Sequence, residues 1–396
     1  MITRPTRKRV TLGTAILALA LSLQVTDGQT FAEKILLDAT IDGKPVRLFF
    51  DTGASRCFLF LHRTRKLGLE FSRPPYNPNP VPGSVAAGST AEYDLVVGIK
   101  RVRTSFGVVP APPMAQDMDI VDGCIGWPLV QNDIFRIEAA ERKVTWLTNV
   151  PPEASAWIKF KLRWQSPVLS MQPTDSEPKP AIFCLDSGAP HGIALLPERW
   201  REWRTTHNNQ PRTLCDMYMP GEADAVPHEE MWATDLDFGP LRVTDVPVRE
   251  ANLPQMAANR WGFQAAFGLA ALERLDLIVD GTQGFVYVRP KSTAPSAYEH
   301  NRLGAEFTSR DPMRFDFVAQ VVAGSPGYEA GIRNGDALLK VGDFDLHKWR
   351  TAPTPLVLER YWKRPAGTKL DLTLRRGEET IQVSPVLRDI LKPTPR

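Results

Sequence analysis

An internal repeat limits the folds open to this chain more than any other property of its sequence. It shows at three aligned points. Leu48-Phe49-Phe50-Asp51-Thr52-Gly53-Ala54 matches Phe183-Cys184-Leu185-Asp186-Ser187-Gly188-Ala189. Gly98-Ile99-Lys100-Arg101-Val102 matches Gly239-Pro240-Leu241-Arg242-Val243, and Cys124-Ile125-Gly126-Trp127 matches Ala266-Phe267-Gly268-Leu269. Asp51 lies 47 residues before Gly98, and Asp186 lies 53 before Gly239; the next gaps, to Gly126 and Gly268, are 28 and 29. Collinear matches at near-equal spacing indicate two copies of one unit in a single chain.

Each copy has β texture. Ile35–Ile41 and Pro45–Phe50 alternate or run apolar and meet at Asp42-Gly43, a hairpin turn signal. Later strands are expected at Ile134–Glu138 and Lys143–Leu147, then at Leu275–Val279 and Phe285–Val288. The second copy opens with a strand near Trp157–Arg163 and carries a polar insertion, Pro173–Pro180. Gly and Pro together make 62 of 396 residues, so a folded, loop-rich protein is expected rather than a low-complexity one.

The first residues bear on compartment. Arg4, Arg7, Lys8 and Arg9 precede an apolar run, Val10–Leu23, and small residues follow. That is the pattern of a secretory leader, with an uncleaved anchor as the alternative. Without the four leader cations the formal charge of +3 disappears, so the basic balance does not indicate a nucleic-acid partner. The four cysteines, Cys57, Cys124, Cys184 and Cys215, show no zinc spacing. The first, second and third lie in apolar runs where buried free thiols are the usual outcome. No metal and no cofactor are expected. Pairing of the cysteines stays open.

At the two Asp-Thr/Ser-Gly-Ala motifs and the later apolar-apolar-Gly elements, the sequence resembles the retropepsin/pepsin superfamily of aspartic peptidases. The likeness covers roughly residues 35–290. It implies a bilobal, mainly β acid-protease fold, with leader 1–32, first lobe 33–150 and second lobe 151–290. It implies Asp51 and Asp186 as paired catalytic carboxylates supported by Thr52, Gly53, Ser187 and Gly188. The hydroxyls of Thr52 and Ser187 would hold the two loops face to face. The pairing has an independent physical reason. Two carboxyls a few ångströms apart share a proton, so one can take a proton from water while the other gives one to a carbonyl. Gly53 and Gly188 let backbone approach them closely. Ala54 and Ala189 offer no side-chain donor, which should leave the pair titrating in weakly acidic conditions. The resemblance also implies a glycine-containing flap, for which Gly83, Ala87 and Gly88 are the candidates. Gly126 and Gly268 are expected to pack behind the aspartate loops. Both half-sites lie in tandem, so a monomer should suffice, with protein or peptide segments as substrates. A single Asp-Gly turn would be read as a plain strand connection; two in register favour catalysis over a peptide-binding protein on an inactive scaffold.

Residues 291–301 have linker composition. Beyond them, Phe317–Val341 (FVAQVVAGSPGYEAGIRNGDALLKV) resembles bacterial PDZ domains, over about residues 302–391. The resemblance implies binding of an extended peptide at a sheet edge, with Leu303, Gly304 and Ala305 in the position of the carboxylate-binding loop. A plain strand-entry glycine is the other reading of Gly304. No serine-hydrolase elbow, metalloprotease helix or phosphate loop is present. His191 follows the second motif closely, where it could line the cleft, but as a lone loop histidine it is expected to face solvent.

Overall fold

The structure is a computed structural model that describes residues 34–72, 88–110, 121–164, 166–174, 181–215, 227–251, 262–292, 297–309, 317–347 and 358–391. It is mainly β, of aspartic-protease-like class, and its described strands form three sheets. The leader, Gly83 and Ala87, and most of the polar insertion lie outside the described residues.

The first sheet has its chemistry at its centre. Lys44–Asp51 pairs antiparallel with Leu36–Ile41 through the turn at Asp42-Gly43, where φ is 47° and 76°. Consecutive positive φ values are what a two-residue hairpin needs, and Gly tolerates them without cost. On its other side Lys44–Asp51 runs parallel to Gly123–Gly126, with Asp51 opposite Gly126. The second sheet repeats this arrangement: Ile182–Leu185 runs parallel to Phe263–Phe267, with Leu185 opposite Phe267. Strands flanked on both faces are apolar throughout, which explains Leu48, Phe50, Phe183 and Leu185, none of them solvent-exposed. Gly98 and Gly239 both sit at positive φ, 56° and 65°, at the tips of equivalent hairpins.

One hairpin changes sides. Ile134–Glu138 and Lys143–Leu147, which the sequence assigns to the first copy, join the second sheet: Ile134 pairs with Asp280 and Ile137 with Leu277. The hairpin still packs on the first copy, with the Phe135 ring 5.6 Å from Phe50 in an edge contact. Its hydrogen bonds join the second sheet, while its apolar side chains pack on both copies, Phe135 against Phe50 and Ile134 and Leu147 against Trp157 and Ile278. A single apolar core therefore runs through both, from Ile35 to Val288.

The third sheet, ordered Ala305–Ser309, Phe317–Val321, Ala337–Val341, Leu372–Arg376 and Glu379–Val383, has its own core around Leu303, Phe307, Leu338, Trp362 and Leu372. Its Gly-Ser-Pro turn starts a short helix, Pro326–Glu329, capped by Ser325 Oγ, which accepts from Tyr328 N at 3.3 Å. Within residues 297–301, read from the sequence as linker, His300 and Asn301 are buried and Tyr298 is half-buried. Tyr298 Oη donates to Glu230 Oε1 at 2.6 Å and Thr213 Oγ1 donates to the Asn301 carbonyl at 2.6 Å. Those bonds tie the third sheet to the edge of the second.

Candidate active site

Asp51 ends its strand and Asp186 follows Leu185, and each is buried. The chain then turns identically in both copies. Ala54 N donates to the Asp51 carbonyl (3.1 Å) and Ala189 N to the Asp186 carbonyl (3.3 Å). These turns aim the next amides at the carboxyls. Gly53 N reaches Asp51 Oδ1 at 2.8 Å, while Asp186 Oδ1 accepts from both Gly188 N (3.0 Å) and Ala189 N (3.1 Å). Behind each loop a glycine lets backbone pass. A Cβ on Gly126 would lie 2.8 Å from the Ala54 carbonyl oxygen, and one on Gly268 would lie 2.9 Å from that of Ala189. The packing role expected for these two glycines is what the geometry shows.

The loops are locked to each other by hydroxyls. Thr52 N donates to Ser187 Oγ and Ser187 N to Thr52 Oγ1, each at 3.0 Å. Each hydroxyl then donates to the opposite strand: Thr52 Oγ1 to the Leu185 carbonyl at 2.7 Å, Ser187 Oγ to that of Phe50 at 3.0 Å. All these groups are out of water, so losing one partner leaves a buried amide unsatisfied, at about 1–3 kcal/mol. Thr52→Ala is expected to cost that much in denaturant unfolding, and Thr52→Ser, which keeps the hydroxyl, clearly less.

The lock brings the carboxyls together. A Cβ added to Gly53 would collide with Asp186 Cγ, and one added to Gly188 would collide with Asp51 Cγ. Each carboxyl thus rests on the glycine of the other copy. Burial raises both above the usual carboxylate range, Asp186 to about 6, and the neighbouring carboxyl also raises Asp51. Asp186 accepts two amide donors and Asp51 one, and donors favour the ionised form. The amide donors therefore favour Asp186 as the ionised member of a singly protonated pair, whose titration belongs to the two together.

Two neighbours were not anticipated. Lys34 is buried, and its Nζ donates to the Gly188 carbonyl. A cation placed just ahead of the first strand gave no sequence signal, because its partner is 154 residues away. His191 is the second, and it corrects the solvent-facing expectation: it is 2% exposed, with Nδ1 3.0 Å from the Gly192 carbonyl. Burial and the Arg249 charge push it well below the ordinary imidazole value, so it is neutral. Its backbone carbonyl and its Nδ1 both lie close against Gly268. It lines a cavity of about 280 Å³ with Glu230, Arg249, Tyr298 and Glu359, behind the Asp186 loop and away from the carboxyls.

The remaining candidates are placed as follows. Gly88 belongs to a buried sheet strand, Gly88–Thr90, paired with Val108, so it is not a hairpin tip. In the C-terminal domain Leu303 and Ala305 are fully buried. The N–H groups of Leu303 and Gly304 already donate to Asn301 Oδ1, at 2.9 and 3.0 Å. Gly304 has φ of 66°, so it is a turn glycine rather than a plain strand-entry residue. The four cysteines are unpaired thiols, with Cys57, Cys124 and Cys184 buried and all four raised by burial. Among the described residues no group of three or more His, Cys, Asp or Glu is arranged to hold a metal, and no helix is long and apolar enough to cross a membrane.

Residues 37–129 match the family model described as aspartyl protease. The matched segment holds Asp51-Thr52-Gly53 and runs just past Gly126, and it supports an aspartyl-protease assignment for this part of the chain. No curated protein matches the chain.

Proposed function

We propose that the chain is an aspartic endopeptidase, with its two lobes in tandem and Asp51 and Asp186 as its catalytic pair. The observation that carries the reading is the reciprocal seating of each carboxyl on the other copy's glycine, beneath crossed Thr52 and Ser187 hydroxyls. Ionised Asp186 takes a proton from water as the water oxygen bonds to the peptide carbon. Protonated Asp51 gives its proton to the carbonyl oxygen, forming a neutral tetrahedral diol. As the diol collapses, ionised Asp51 takes back a hydroxyl proton while Asp186 gives its proton to the leaving nitrogen and the C–N bond breaks, which restores the singly protonated pair. Both carboxyls come from one chain, so a monomer suffices, and the leader marks it for export.

The C-terminal unit reads as a PDZ domain for extended peptides. A peptide carboxylate would have to replace Asn301 on the Leu303 and Gly304 amides. The strand Arg212–Cys215 also lies beside the edge strand Ala305–Ser309. The domain therefore serves first to complete the second lobe.

The test is hydrolysis of a peptide library by the purified protein, with and without a hydroxyl-bearing transition-state isostere. Cleavage blocked by the isostere supports the reading; no cleavage at any pH leaves the inactive scaffold. The pH profile follows from the pair. The working form carries one proton, so it appears above about 6, where Asp186 ionises, and persists until Asp51 ionises. The acid limb of kcat/KM should fall near pH 6 with the optimum on its alkaline side. An optimum below pH 5 contradicts the assignment. This is higher than Ala54 and Ala189 alone suggest: the Ala189 amide does donate, but burial outweighs it.

A further inference from the structure

Lys34 is 6% exposed, and its ammonium donates to the carbonyl of Gly188, the glycine against which Asp51 rests. It also lies 5.6 Å from the centroid of the Phe49 ring. Burying an ammonium costs several kcal/mol unless opposite charge offsets it, so packing alone does not account for it. The second copy shows what packing requires. Phe50 N donates to the Ile35 carbonyl at 2.8 Å, and Leu185 N donates to that of Leu169 at 3.0 Å. Ile35 and Leu169 therefore hold equivalent places beside the two aspartate strands. The residue before Ile35 is Lys34; the residue before Leu169 is Val168, also fully buried. The fold accepts an aliphatic side chain at this place.

We propose that Lys34 is a positioning residue of the carboxyl pair, clamping the Asp186 loop at Gly188 and making the singly protonated pair the electroneutral form of the buried site. This rests on the peptidase reading. One fixed positive charge and two carboxyls sharing one proton sum to zero. With an aliphatic residue instead, neutrality would require both carboxyls protonated, a form with no base to activate water. The other titratable groups around the pair do not alter this count. Cys124, from the strand Gly123–Gly126, and Cys184, from Ile182–Leu185, are raised thiols, and His191 is neutral. The Lys34 charge lowers both Asp51 and Asp186 against the effect of burial.

The test compares Lys34→Val, which copies the second lobe, with Lys34→Arg, which keeps the charge. The acid limb of kcat/KM should move up by roughly 1–3 pH units in Lys34→Val and stay near wild type in Lys34→Arg. An unshifted limb in folded Lys34→Val overturns the proposal, as does an equal shift in both variants. Should Lys34→Val not fold, Lys34→Met carries the same comparison. Carboxyl carbon resonances of Asp51 and Asp186, followed by NMR through the same pH range, give a readout independent of turnover. If the wild-type protein cleaves nothing, the peptidase reading fails, yet the two resonances still decide whether Lys34 holds the pair down.

Discussion

Asp51→Asn and Asp186→Asn are each expected to lower kcat/KM by roughly 10²–10⁴-fold, the scale of positioned acid–base catalysis. An amide can neither share the proton nor take one from water, and each copy supplies a single carboxyl. The fold should survive, because an amide oxygen can still accept from Gly53 N or Gly188 N. Stability gives a second signature with a definite sign. A carboxyl in the unfolded chain ionises near 3.9, whereas Asp186 holds its proton to about 6 and burial raises Asp51 as well. Between those values the folded state binds more protons than the unfolded state. Wild-type stability must therefore fall as pH rises through this window, by roughly 1.4 kcal/mol per pH unit for each such group. The Asn variants lack one of these groups and should lose part of the slope, equalling or exceeding wild type at neutral pH. Kinetics and thermal melts at matched pH check both. Near-wild-type turnover in either variant removes that aspartate from the mechanism.

Gly53→Ala and Gly188→Ala should be nearly as damaging, by a different route. Neither glycine needs an unusual backbone angle; neither is among those at positive φ. The new methyl would instead occupy the space held by the opposite carboxyl. That carboxyl cannot yield cheaply, because its loop is fixed by the crossed hydroxyls and by its own amide donors. Overpacking of this kind costs about 1–3 kcal/mol, and the carboxyls would separate. Turnover should fall toward that of the Asp→Asn variants while the pH slope of stability remains. A variant that kept both turnover and melting temperature would show that the loops do not meet in solution as they do here.

Much of this site was legible in the sequence because its geometry is local and repeated. The Asp42-Gly43 turn, the paired Asp-Thr/Ser-Gly loops and the equivalent glycines Gly126 and Gly268 each encode a backbone path within a few residues. What was not legible depends on contacts made at long range. The hairpin Ile134–Leu147 has the same alternation whichever sheet it joins, and only docking of the two copies decides that it pairs with Leu275–Asp280. Lys34 carried no sequence signal, and His191 read as a loop residue. Their surroundings include Gly188 for Lys34 and the Arg249 charge for His191, both distant in sequence. Asn301 read as the end of a linker, yet its side chain takes the two amides that the PDZ resemblance assigned to a peptide.

The crossed hydroxyls also impose a schedule on the chain. They join residues 135 apart, and closing a loop of that length costs about 4 kcal/mol of chain entropy before any contact repays it. During synthesis Asp51 emerges long before Asp186, and a chain stopped between them holds one carboxyl, no opposing glycine and no hydroxyl partner. A chain at that stage therefore carries only half of the proposed site. On the proposed peptidase reading, the site that cuts peptides is completed only by the last long-range contacts of the chain's own folding.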